Sequence, residues 1–380
     1  MSSTEPLGMT DTAADAGSGA LRWAVSAGLM AGGALATAGA RRYARARAAA
    51  RPDPLRNEPF GSLHTDPIVV TANDGVELVV EVEEPEGAPA GAPTVVFLPG
   101  FCLPMDCWHF QRRDLRDLGR LVFYDQRAHG RSGRGAPEHA TIEQLADDLH
   151  SVLQAVAPNG PVVLVGHSLG GMVVMGYADA HPKLFGDRIV GVALLATSPG
   201  RLAEMTLGLP AAIVQRLWPV APTVVNRVAT NPLAVRRGMK ADRGIGLMIT
   251  RRLSFGRADA PTSLVRFAGR LLSSTPLDVF AEFFAEFDRH DKEAAIPVFS
   301  TCPTLIVAAE RDMLTPADHS RAMAHLLPEA ELLVLPESGH LVQLEDPEEV
   351  NAALRRLLER VRLTAAPTGK RRRPASGSSS

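Results

Sequence analysis

Cysteine is nearly absent: Cys102, Cys107 and Cys302 are the only three in 380 residues. That is too few for a disulfide framework, and the spacing matches no zinc site. Such usage points to a reducing compartment, with a local Cys102–Cys107 bridge as the one pairing that sequence proximity leaves open. No GxxxxGK[ST], no HExxH and no GxGxxG after a strand occurs, so nucleotide, zinc-protease and dinucleotide chemistry lack their motifs. No cofactor and no metal are expected. Basic charge is also scarce where it would matter. Ten of the 40 Lys and Arg lie before residue 52 or after 369, leaving 30 against 39 acidic residues between, a charge near −9. A nucleic-acid surface needs the opposite, and nucleic acid is not expected as a partner. No internal repeat is present.

Strongly apolar residues are few in the seventeen uncharged residues Ala24–Ala40. A helix needs about 20 to cross a bilayer. Three readings stay open for this segment: a membrane anchor over 21–40, a signal peptide cut after Ala36-Thr37-Ala38, or a leader without stable structure. The second lacks its positive n-region, since no Lys or Arg precedes residue 22. The expectation adopted is the anchor. Gly28 and Gly32 give the spacing of packed membrane helices. Arg41, Arg42, Arg45, Arg47 and Arg51 would keep the rest on the cytoplasmic side. The protein is therefore expected at the cytoplasmic face of a membrane, or in the cytoplasm. Residues 1–20 read as a disordered start, 41–60 as a basic, proline-containing linker, and 363–380 as a basic disordered tail.

Between these ends, short apolar runs alternate with helical patterns. Ile68–Asn73 and Val76–Val82 flank Asp74-Gly75, a hairpin signal. Thr94–Leu98, Leu121–Tyr124, Val162–Val165, Ile189–Ala196, Thr304–Ala308 and Glu331–Leu335 read as strands buried on both faces. Ile142, Leu145, Leu149, Val152, Leu153 and Val156 recur at helical spacing, as do Val350, Leu354, Leu357, Leu358 and Val361. The class is α/β with a mostly parallel sheet. Residues 200–296 interrupt the rhythm with helical patterns only, so they read as a helical insert between a core of 61–199 and its continuation over 297–362.

The chemistry gathers where strands end, since open α/β sheets bind ligands beyond their carboxyl ends. Gly166-His167-Ser168-Leu169-Gly170 fits G-x-S-x-G, a sharp strand-to-helix turn that exposes a serine hydroxyl. A serine is a weak nucleophile and needs an adjacent base. His340 follows the last strand and can accept and return the proton. Asp312, after the strand before it, can fix the imidazole tautomer. Glu310 competes on the same loop, with an ion pair to Arg311 as its plainer role. An oxyanion would need two backbone donors, for which Leu169 and Phe101 are the candidates. Asp125 and His129 read as anchors of a buried loop rather than a second base. His167 reads as packing at the elbow that also borders a substrate pocket. Trp108 and Phe110 divide between pocket and core, and Met172 belongs to the core.

Four stretches, "LPGF" (98–101), "YDQRAHGRSG" (124–133), "GHSLGG" (166–171) and "SGH" (338–340), together resemble the α/β-hydrolase superfamily from Pro67 to Val361. The likeness is strongest to serine esterases, monoacylglycerol-lipase-like enzymes, cofactor-free haloperoxidases and actinobacterial hydrolases with an apolar leader. It implies a helical cap at 200–296. The family often has His-Gly where this chain has Pro99-Gly100. It also implies Asp rather than Ser at position 168 in epoxide hydrolases and haloalkane dehalogenases, which disfavours those activities. The expected function is hydrolysis of a monoacylglycerol or a short-to-medium acyl ester through an acyl-enzyme. The alternatives are perhydrolase or C–C bond hydrolase activity on the same triad, or a non-catalytic binding protein.

Overall fold

The computed structural model describes residues 52–85, 87, 91–200 and 243–365. The chain divides into two units at Pro52/Asp53, and all of the structure from Asp53 onward concerns the second. The expected start 1–20, the apolar segment 21–40, much of the linker, residues 201–242 of the insert and the tail beyond 365 lie outside the described residues.

One sheet of eight strands organises the described fold: β1 (Ile68–Thr71), β2 (Glu77–Glu83), β3 (Thr94–Leu98), β4 (Leu121–Tyr124), β5 (Val162–His167), β6 (Ile189–Leu195), β7 (Thr304–Ala309) and β8 (Glu331–Leu335). Their spatial order is β1-β2-β4-β3-β5-β6-β7-β8. The β1–β2 hairpin is antiparallel and joins β4 antiparallel; every other pairing is parallel. Gly75 makes the hairpin turn at φ 88°, a conformation open to glycine. β1 stops at Thr71, two residues short of the apolar run, because Ala72 already accepts from Gly75 N and donates to Val76 O.

Side chains alternate across a strand, so each strand feeds two cores. Val96, Leu98, Leu164 and Leu194 face one side, against α2 (Ile142–Val156) and α3 (Leu169–Ala180). Val95, Phe97, Val163 and Val165 face the other, against α1 (His109–Asp114) and Leu354, Leu357 and Leu358. Thr141 caps α2 by accepting from Gln144 N, as N-cap threonines do.

The insert between β6 and β7 is helical where it is described: α4 (Arg243–Ser254), α5 (Thr262–Leu272) and α6 (Leu277–Arg289). Its stem is tied to the core. Lys292 N donates to Pro199 O at 2.7 Å, and His290 Nε2 donates to Ser198 O at 2.9 Å. After β7 come α7 (Ala317–Leu326), then α8 (Val342–Glu345) and α9 (Pro347–Ala365) beyond β8.

The membrane expectation is corrected. No helix among the described residues is long and apolar enough to cross a bilayer. The uncharged run Ala24–Ala40 is shorter than the roughly 20 residues a spanning helix needs and is rich in alanine and glycine. The anchor expectation thus finds no support among the described residues, and the segment 21–40 lies outside them. All three cysteines are free, so the local Cys102–Cys107 bridge is not formed.

Candidate active site

Ser168 is the single residue between β5, which ends at His167, and α3, which starts at Leu169. Its backbone sits at φ 52°, ψ −118°, a conformation that costs a non-glycine residue about 1–3 kcal/mol and needs support. Support comes from Ser168 N donating to Leu195 O at 3.0 Å and from Thr197 Oγ1 donating to Ser168 O at 2.7 Å. Close packing explains the glycine two residues on. A Cβ at Gly170 would lie 2.2 Å from Leu98 O.

The structure brings Ser168, His340 and Asp312 together. The Ser168 hydroxyl lies 2.9 Å from His340 Nε2, and His340 Nδ1 lies 2.8 Å from Asp312 Oδ2. A carboxylate only accepts, so Nδ1–H donates to Asp312 and Nε2 is free to accept from the serine. The carboxylate also accepts from Leu314 N at 2.8 Å and Thr315 N at 3.0 Å, and Thr315 Oγ1 lies 2.8 Å from its Oδ2. Burial alone would raise the Asp312 pKa. The facing His340 and these amides outweigh it and hold the carboxyl below its usual range. Asp312 thus stays ionised beside the imidazole, and all three side chains are buried.

The loop carrying His340 is held from its far side. Glu345 accepts from Gly339 N at 2.7 Å and from Gly256 N and Arg257 N at 2.9 and 2.8 Å, which joins the histidine loop to the insert. His167 is fully buried, and its Nε2 donates to the carbonyl of His340 at 2.8 Å. Burial first, and the neighbouring His340 second, push its pKa down to about 3. His167 is therefore a neutral brace under the site.

The other candidates separate by position. The N–H of Leu169 opens α3, where the first amides of a helix lack an internal acceptor. Phe101 follows β3 on the turn closed by Leu103 N to Gly100 O at 3.2 Å. Trp108 is fully buried and packs on Phe97, ring centroids 5.1 Å apart, so it offers the site no exposed surface. Phe110 and Met172 are core as well. Asp125 accepts from Met105 N at 2.6 Å and Arg131 N at 2.8 Å, and His129 Nδ1 donates to Arg127 O at 2.8 Å; both anchor the loop. Glu310 is exposed more than Asp312 and pairs with Arg321 rather than Arg311, whose own partner is Glu337 at 2.6 Å. Among the described residues no group of His, Cys, Asp and Glu is arranged to hold a metal.

Sequence reasoning missed Thr315 and Thr197. Asp312 followed by amides two and three residues on is an Asx-type turn, a pattern visible in Asp312-Met313-Leu314-Thr315. Thr197 carries no local signal, since its role depends on β6 lying beside β5.

A family model described as alpha/beta hydrolase fold matches residues 93–347. The chain is similar to the dihydrolipoyllysine-residue acetyltransferase component of the acetoin cleaving system of Pseudomonas putida, 27% identical over 265 residues. That match covers 70% of this chain and 63% of that protein's length. Among solved structures, a thermophilic esterase from Thermogutta terrifontis superposes with TM-score 0.61 at 26% identity, covering 78% of this chain and 99% of its own. Est816, described as an N-acyl homoserine lactone degrading enzyme, superposes with TM-score 0.56 at 27% identity, covering 76% and 99%.

Proposed function

The chain belongs to the alpha/beta hydrolase fold family, and from that premise we propose that it is a serine hydrolase acting on carboxylic esters. The observation that carries this reading is the unbroken line from Ser168 Oγ through the His340 ring to Asp312, at 2.9 and 2.8 Å. Ser168 Oγ attacks the acyl carbon as His340 Nε2 takes its proton. Asp312 stabilises the imidazolium. The amides of Leu169 and Phe101 receive the oxyanion. Collapse expels the alcohol, which takes the proton from His340. Water, deprotonated by the same imidazole, then releases the acid and restores Ser168.

The substrate is a short-to-medium acyl ester. The case for a lipid-derived ester such as a monoacylglycerol leaned on the anchor and weakens with it. Cyclic esters belong in the same class, because opening a lactone uses the same attack, and Est816, described as degrading N-acyl homoserine lactones, is similar at 27% identity. A panel of p-nitrophenyl esters of graded length, with an N-acyl homoserine lactone beside it, tests the reading. Turnover that disappears in Ser168→Ala supports it. Full turnover in that variant overturns it.

A further inference from the structure

We propose that α6 holds the oxyanion loop in its working shape through an aromatic cage on Phe101, with Phe283 as the positioning residue. The inference rests on the serine-hydrolase reading, in which the Phe101 amide is a donor.

Phe280, Phe283 and Phe287 recur at i, i+3 and i+7, which puts them along one face of α6. All three rings meet Phe101, with centroids 5.3, 5.6 and 5.0 Å away. His129 closes the fourth side at 5.5 Å. Phe283 is the keystone of the set: it is fully buried and also meets the His129 ring at 5.7 Å. Such tilted and edge-on ring pairs attract beyond the area they bury.

Both ends of this cage are fixed. His129 is locked by its bond to Arg127 O, and Gln126 Nε2 donates to Pro99 O at 2.6 Å, just before the turn. The turn itself is strained. Cys102, next to Phe101, sits at φ 59°, in the left-handed region that a residue with a Cβ keeps only when its surroundings impose it. The Phe101 side chain is the handle through which the insert imposes it. Losing Phe283 frees that handle, and the ring contacts of Phe283 run to Phe101 and His129, not to Ser168, His340 or Asp312.

The test uses the full chain with Phe283→Ala and Phe283→Leu. Ester turnover is read beside hydrogen exchange of peptides covering 98–105 and 166–175. Loosening one oxyanion donor predicts kcat lower by ~10–100-fold, with KM within about threefold. Exchange rises in 98–105, not in 166–175, and leucine recovers most of both. Unchanged kcat and unchanged 98–105 exchange in folded Phe283→Ala overturn the proposal. So does exchange that rises equally in both peptides. If Phe283→Ala does not fold, the same readouts on Phe287→Ala, at the half-buried rim, decide. If wild type hydrolyses no ester, the functional reading fails, and the exchange pattern alone judges the cage.

Discussion

His167 braces His340 from below: its Nε2 donates to the main-chain carbonyl of His340 at 2.8 Å. The residue immediately before Ser168 thus holds the backbone of the residue whose ring faces Ser168. A side chain that keeps a donor at that place should keep the alignment. His167→Gln should retain kcat within about tenfold, because its amide can reach the same acceptor. His167→Leu leaves the carbonyl unpaired and should lower kcat ~10–100-fold. Steady-state kinetics on a p-nitrophenyl ester read both.

The same burial makes stability depend on pH. His167 and His129 are pushed down to about 3 and about 4, in both cases chiefly by burial. Unfolded histidine titrates near about 6.5. Below that pH the unfolded chain binds more protons than the folded one, so stability falls as pH drops and is complete above it. Asp125 opposes them. Burial raises it to about 6, so its folded form gains stability as pH falls below 6. Each group contributes about 1.4 kcal/mol per pH unit inside its window. The unfolding free energy from urea melts should drop clearly less between pH 7 and pH 5 in His167→Gln than in wild type. An equal drop in both proteins would refute the role of His167.

Asp312 is the second lever on His340. Asp312→Asn should fold normally and lower kcat by about three to four orders of magnitude, because the amide no longer enforces the Nδ1–H tautomer. Thr315→Val removes the hydroxyl that lies 2.8 Å from both Asp312 Oδ2 and Ala196 O and should cost about 3–30-fold in kcat. Kinetics on both, with circular dichroism as the folding check, separate positioning from collapse.

The elbow leaves no room for a side chain. Gly170→Ala would drive a Cβ to within 2.2 Å of Leu98 O, a backbone atom on the adjacent β3. The strand or the helix must shift, at about 1–3 kcal/mol or more. A lowered urea midpoint, with loss of ester turnover, is the expected result.

The strands were legible because fully buried parallel strands read as unbroken apolar runs, as Val162–Val165 does. The order in space was not, since nothing local says that β4 lies between β2 and β3. Ser168, His340 and Asp312 could be named from their places after strands, and their distances then come from the fold. Phe280, Phe283 and Phe287 announced a helix face without saying that Phe101 would meet it. Trp108 looked as suited to a pocket as to a core, and only the packing against Phe97 puts it in the core. The pairing of Glu310 with Arg321 instead of its neighbour Arg311 arises because α7 brings Arg321 back beside the loop.

Covalent labelling reports directly on the activation of Ser168. The full chain is treated with a fluorophosphonate beside Ser168→Ala, and adducts are counted by intact mass and mapped by peptide analysis. One adduct per chain is expected, on Ser168, and none in the variant. Folded wild-type protein that takes up no label, or labels equally in the variant, would contradict it and bring the non-catalytic binding reading forward.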